Sequence, residues 1–151
     1  MKLQNKAFNC ASTALYNAYS ALGRVLPIKQ IAQLTGTTKA GVTHHGVMQC
    51  NEILGFESTE IHELKWRSAY GRMSAHLLEI NGPVLLCTEA WDHWVVAMGT
   101  LGPRTVVFDS KNSTRNRANS GVYVLSDDQL RRFWDPGPDH KRYGVGVSLG
   151  K

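Results

Sequence analysis

Cys10, His93 and Asp109, with Gln4 upstream, are the residue types of a nucleophilic acyl-transfer site. Cysteine attacks a carbonyl carbon as the thiolate, so the site must favour the charged sulfur. Cys10 is predicted in the first turn of a helix. Unpaired N–H groups and the positive end of the helix dipole stabilise an anion there. By position alone, the commoner role of such a residue is a buried structural thiol. His93 opens a predicted strand, in Trp91-Asp92-His93-Trp94, and Asp109 closes the next one. A turn at Gly102-Pro103 would fold the two into a hairpin and bring those ends together. The imidazole could then meet a carboxylate that fixes its tautomer. Gln4 stands six residues before Cys10, and its amide could join the Cys10 backbone N–H as oxyanion donors. A lone histidine is usually structural and a strand-end aspartate is often a turn residue. All four together supply a nucleophile, a base, an orienting acid and an oxyanion donor.

Other reactive side chains fit blander roles. His44-His45, with Cys50 or His62, could be read as metal ligands. Adjacent histidines at a helix start do not share one face, however, and no second pair completes a tetrahedral set. Neither a metal nor a cofactor is expected. Three cysteines without a CxxC pair argue against a disulfide framework or a zinc knuckle, and suit a reducing compartment. Cys50 falls in the apolar stripe of a helix and Cys87 in a strand, so both read as core thiols. Trp94 alternates with His93 and reads as core, and Trp91 as a cleft wall. Asp92 reads as a loop acid, and as a competitor of Asp109 for His93. Lys111, Arg115 and Arg117 form a basic stretch, either a solvated loop or a lip meeting a negatively charged substrate.

The elements that must position these residues can be read from periodicity. Cys10–Leu22 carries Ala11, Ala14, Leu15, Ala18 and Leu22 on one helical face, with Asn9 as N-cap and Gly23 as C-cap. Pro27–Leu34 is a second helix stopped by Gly36. Thr43 caps a third holding Val47, Cys50, Ile53 and Leu54, ended by Gly55. Ser68–Ile80 is a weaker fourth. After Asn81-Gly82-Pro83 the texture turns to β-branched and aromatic residues: Val84–Cys87, His93–Gly99, Thr105–Phe108, Gly121–Leu125 and Tyr143–Leu149 read as strands. Ser126-Asp127-Asp128-Gln129 starts a short helix completed by Leu130, Phe133 and Trp134. Helices first and an antiparallel sheet afterwards is an α+β arrangement.

At 151 residues the chain fits one domain over 1–151 and can bury a core without staples. An apolar fraction of 42% rules out a disordered chain. No stretch is long enough to cross a bilayer, and the N-terminus lacks the apolar core of a signal peptide, so a cytoplasmic protein is expected. A phage protein or secreted effector also fits a small chain of this type. A net charge of +5 permits an acidic partner, nucleic acid included, without demanding one. The oligomeric state is not legible.

Gln4-x5-Cys10 opening a helix, His93 opening a strand and Asp109 closing the next one resemble the papain-like cysteine peptidases. More narrowly, the chain is similar to the bacteriocin-processing, double-glycine type peptidase domain. That family is compact, and the separations here, 83 residues from Cys10 to His93 and 16 on to Asp109, match it. Ile53-Leu54-Gly55-Phe56, Gly82-Pro83-Val84-Leu85-Leu86 and Leu125-Ser126 leading to Phe133-Trp134 are also family-like, so the resemblance runs over roughly residues 3–149. It implies a papain-like fold, N-terminal helices on a C-terminal antiparallel sheet. It further implies cleavage of a peptide or isopeptide bond in a peptide or protein substrate. The acyl-enzyme forms on Cys10, with His93 and Asp109 completing the triad and Gln4 in the oxyanion hole. By the same analogy Gly41–Gly46 is a mobile loop on the substrate side, with Gly46 and His45 at the cleft beside Trp91. Three departures stand out. Asn9-Cys10-Ala11 replaces Asp-Cys-Gly, Ser110 replaces proline after the acid, and the transporter domains that often follow are not expected. Two other uses of the scaffold stay open: acyl transfer to an amine with the same triad, and a non-catalytic binding module.

Overall fold

The computed structural model describes residues 2–4, 9–38 and 41–150. Its first helix, α1 (Cys10–Ala21), is buried on most of its circumference and not on one face as the apolar repeat suggested. Ala11, Ala14 and Ala18 are all buried, so neighbouring backbones approach closely on several sides. The N-terminal segment also runs along it: the Asn17 side chain accepts from the Lys2 N–H at 3.1 Å and donates to the Lys2 carbonyl at 3.2 Å. The Asn9 side chain makes no cap hydrogen bond to this helix, contrary to expectation. Gly23, at φ +88°, follows the helix as expected, and the Arg24 N–H reaches back to the Tyr19 carbonyl at 2.8 Å.

Two further helices cover the same side, α2 (Ile28–Thr35) and α3 (His44–Ile53). Thr43 caps α3 as its sequence predicts, accepting from the Gly46 N–H at 3.2 Å. His44–Gly46 are therefore the first turn of a helix, which corrects the expectation of a mobile loop reaching Gly46. Gly46 is buried against α2: a Cβ there would stand 2.3 Å from the Thr35 carbonyl oxygen. What the fold asks of this glycine is close helix packing.

A strand the sequence did not announce follows, β1 (Phe56–Glu63). Then come α4 (Trp66–Ala75), β2 (Val84–Thr88), β3 (His93–Leu101), β4 (Arg104–Phe108), α5 (Thr114–Ala118), β5 (Val122–Leu125), α6 (Asp127–Phe133) and β6 (Arg142–Leu149). Helix α4 widens into a π turn at His76–Ile80. The strands form a six-stranded antiparallel sheet in the order β1-β6-β2-β3-β4-β5. It is covered on both faces. Leu85, Trp94, Val96, Phe108 and Val145 pack toward α1–α3. Leu86, Val95, Ala97, Val107 and Trp134 form a second core with α4 and α6. The α+β class is as expected, but the helices flank the sheet on two sides, because α4 and α6 bury apolar faces of their own.

Candidate active site

The β3–β4 hairpin carries the feature that places the site. Val96 pairs with Phe108 and Ala97 with Val107, but Gly99 pairs with Val106, so β3 bulges between Ala97 and Gly99. A bulge shifts every later residue by one and exchanges the faces. Continuing the shifted register sets Asp109 beside Val95, on the face His93 shares with Val95. Without the bulge, Asp109 would lie on Trp94's face. His93 is also the first residue of β3, so its ring stands at the end of the sheet.

There the His93 Nε2 and Asp109 Oδ1 are 2.7 Å apart, and both residues are buried. The Cys10 side chain is the other group that acts on the ring. Burial alone would push the His93 pKa down. Asp109 and Cys10 outweigh it and raise the value to about 9. Burial would likewise raise the Asp109 carboxyl, but the bond and charge of His93 bring it below its ordinary value. Asp92, the rival acid, is exposed in the β2–β3 turn.

Asp109 is held by a shell the sequence reading missed. Its Oδ1 accepts from the Lys111 N–H at 3.0 Å, and its own N–H donates to the Gly121 carbonyl at 2.8 Å. Asn116, buried on α5, helps to hold the Asp109 pKa down and donates to the Lys111 carbonyl at 2.8 Å. The Tyr123 hydroxyl donates to Asn116 Oδ1. Ser113 opens this five-residue helix as a side-chain cap, so Ser-x-x-Asn was the available signal. The basic stretch Lys111–Arg117 is thus neither only a loop nor only a lip. Its inner face supports the acid.

Gln4 is buried beside the same strand end. Its N–H donates to the Ser110 carbonyl at 2.8 Å, and the Ser110 hydroxyl donates to Gln4 Oε1 at 3.0 Å. A cavity of about 430 Å³ opens on the His93–Asp109 side, walled by Thr88, Glu89, Asn116, Leu125, Arg132 and Phe133. The opposite flank is aromatic. Tyr143 gathers Trp91 at 5.7 Å, His62 at 5.5 Å and His44 at 5.1 Å between ring centroids, and His45 lies on His44 at 4.1 Å. Trp91 and Tyr143 belong to the packed cluster that contains Cys10. Trp94 is core, and Trp91 is half-buried in the turn before β3. That turn is strained: Glu89, Ala90 and Trp91 have φ of +52°, +54° and +74°. The structure thus gathers Cys10, His93 and Asp109, with Gln4 tied to the strand end by Ser110. It sets Trp91 and His45 in one aromatic cluster and leaves Gly46 in helix packing. Among the described residues no group of three or more His, Cys, Asp or Glu could hold a metal ion. No described helix is long and apolar enough to cross a membrane.

Searches against family models and against curated proteins found no match. Solved structures do match, over nearly the whole chain. The peptidase domain of Streptococcus ComA, a bifunctional ABC transporter of quorum sensing, superposes with a TM-score of 0.70 at 17% identity, over 98% of this chain and 96% of that one. The chain has the fold of these peptidase domains. A double-glycine motif protease from an AMS/PCAT transporter, solved with a leader peptide, gives a TM-score of 0.64 at 15% identity, covering 97% of this chain and 86% of that one. The N-terminal peptidase C39-like domain of a Vibrio parahaemolyticus toxin-secretion ATP-binding protein gives 0.57 at 13% identity, covering 95% and 98%. The papain-like architecture expected from the sequence is therefore present.

Proposed function

We propose that this chain is a cysteine peptidase, or a closely related thiol hydrolase, acting through an acyl-enzyme on Cys10. The observation that carries the reading is the buried His93 ring engaged at once by the Asp109 carboxylate and the Cys10 side chain. Asp109 occupies Nε2, which leaves Nδ1 for the sulfur. A histidine that holds its proton up to about pH 9 can keep Cys10 as a thiolate–imidazolium pair.

In this mechanism the thiolate attacks the scissile carbonyl, and the Gln4 amide with the Cys10 backbone N–H stabilises the oxyanion. His93 gives its proton to the departing amine. Asp109 keeps the ring oriented, and water then resolves the thioester. Trp91 and His45, on the aromatic flank, line the approach of a peptide substrate. The fold shared with a double-glycine protease makes double-glycine peptides the first substrates to try.

The test is mass spectrometry of candidate peptides, double-glycine sequences included, incubated with wild-type and Cys10→Ala protein. Fragments whose masses sum to the parent plus one water, present only with wild type, are expected. Fragments joined to an added amine would identify acyl transfer. Equal cleavage by Cys10→Ala would overturn the proposal.

A further inference from the structure

Ser110 stands where the sequence departs from the resembling family, and it is almost fully buried, 1% exposed. It contacts Gln4 twice. Its carbonyl accepts the Gln4 N–H at 2.8 Å, and its hydroxyl donates to Gln4 Oε1 at 3.0 Å. The first bond anchors the backbone of residue 4. The second fixes the side chain and turns the amide nitrogen away from Ser110. We propose that Ser110 is a positioning residue for the oxyanion site: its hydroxyl holds Gln4 Oε1 so that the Gln4 N–H groups face the acyl carbonyl. This inference rests on the reading of Cys10 as nucleophile and Gln4 as oxyanion donor.

The chemistry makes the orientation matter. A carboxamide stabilises an oxyanion only through its nitrogen end. Reversed, it would aim oxygen lone pairs at the developing charge. Gln4 is 4% exposed, so little water can take over a bond lost at Oε1. Ser110 also follows Asp109 directly in the chain. One dipeptide at the end of β4 thus holds both the acid that orients His93 and the hydroxyl that orients Gln4, coupling the two halves of the site.

The test compares two reactions of the same sulfur. Iodoacetamide alkylates a thiolate by displacement at a saturated carbon, so no oxyanion forms. p-Nitrophenyl acetate acylates it: the sulfur bonds to the acetyl carbon, the ester C–O bond breaks, and p-nitrophenolate leaves with the electron pair. That route passes through an oxyanion. Ser110→Ala is expected to slow acetylation of Cys10 about tenfold and to leave its alkylation rate within about twofold of wild type. Gln4→Ala, as the benchmark, is expected to slow acetylation on the order of 100-fold. Ser110→Thr keeps the hydroxyl and is expected to restore acetylation to within about threefold of wild type. Normal acetylation in Ser110→Ala, or equal loss of both reactions, would overturn the positioning role even if Ser110→Thr does not fold. Unreactive wild-type Cys10 would instead overturn the proposed function itself.

Discussion

At the scale of single residues, the charge state of His93 decides what the site can do. In the proposed mechanism the imidazolium gives a proton to the leaving amine, so peptide hydrolysis is expected to fall as the pH rises through about 9. Asp109 is the main cause of that high value. Asp109→Asn is therefore predicted to move the alkaline limb down toward the ordinary histidine range and to lower turnover about 100-fold. More rate should survive than in Cys10→Ala, which loses the nucleophile. A pH–rate profile of each protein checks this, and a limb still near 9 in Asp109→Asn would show that something else holds the proton. The meeting of His93 with Asp109 was readable from their places at neighbouring strand ends. Asn116 and the Ser110–Gln4 contact were not, because a side chain that braces another residue leaves no pattern of its own in a sequence.

At the scale of elements, legibility followed burial. Helices α2 and α3 were visible because apolar spacing coincided with Pro27, Gly36, Thr43 and Gly55, each of which has a local backbone reason to be there. Strand β1 was missed because it lies at the sheet edge, where Phe56 and Ile61 are its buried apolar residues and the rest reads as polar. The bulge in β3 was missed as well, although it puts Asp109 on the face of His93. An extra residue in a ladder does not disturb local apolar spacing enough to be read. Helix α6 was read correctly from its capping box, in which the Ser126 hydroxyl accepts from the Gln129 N–H and Gln129 Oε1 accepts from the Ser126 N–H. Ser126→Ala is predicted to destabilise the protein by about 1 kcal/mol, measured by denaturant unfolding. An unchanged midpoint would mean that α6 is fixed by Leu130 and Trp134 alone.

At the scale of the whole molecule, the site and the core are linked through pH. A histidine whose folded pKa is raised from 6.5 to about 9 stabilises the fold fully below about 6.5, and that contribution is lost as the pH rises to about 9. His76 works in the opposite direction. It is buried between Gly82 and Gly146, and its Nε2 lies 3.1 Å from the Val147 carbonyl oxygen. Burial lowers its pKa, so acidification below about 6.5 favours the unfolded chain, where the ring protonates freely. Thermal unfolding of wild type is therefore expected to lose stability between pH 6.5 and 9. His93→Gln should flatten that alkaline slope and leave the acid side in place. Equal alkaline slopes in both proteins would mean that the His93–Asp109 pair contributes little to folding.

Cys10 differs from the two other buried thiols in its surroundings. Burial raises the pKa of Cys50 and Cys87, and Cys10 alone has a histidine and carboxylate assembled against it. Brief treatment with substoichiometric iodoacetamide at pH 7, followed by peptide mapping, measures this directly. The expected result is label on Cys10 well ahead of Cys50 and Cys87, with the preference lost in His93→Ala. Equal labelling of all three, or a preference that persists without His93, would contradict it.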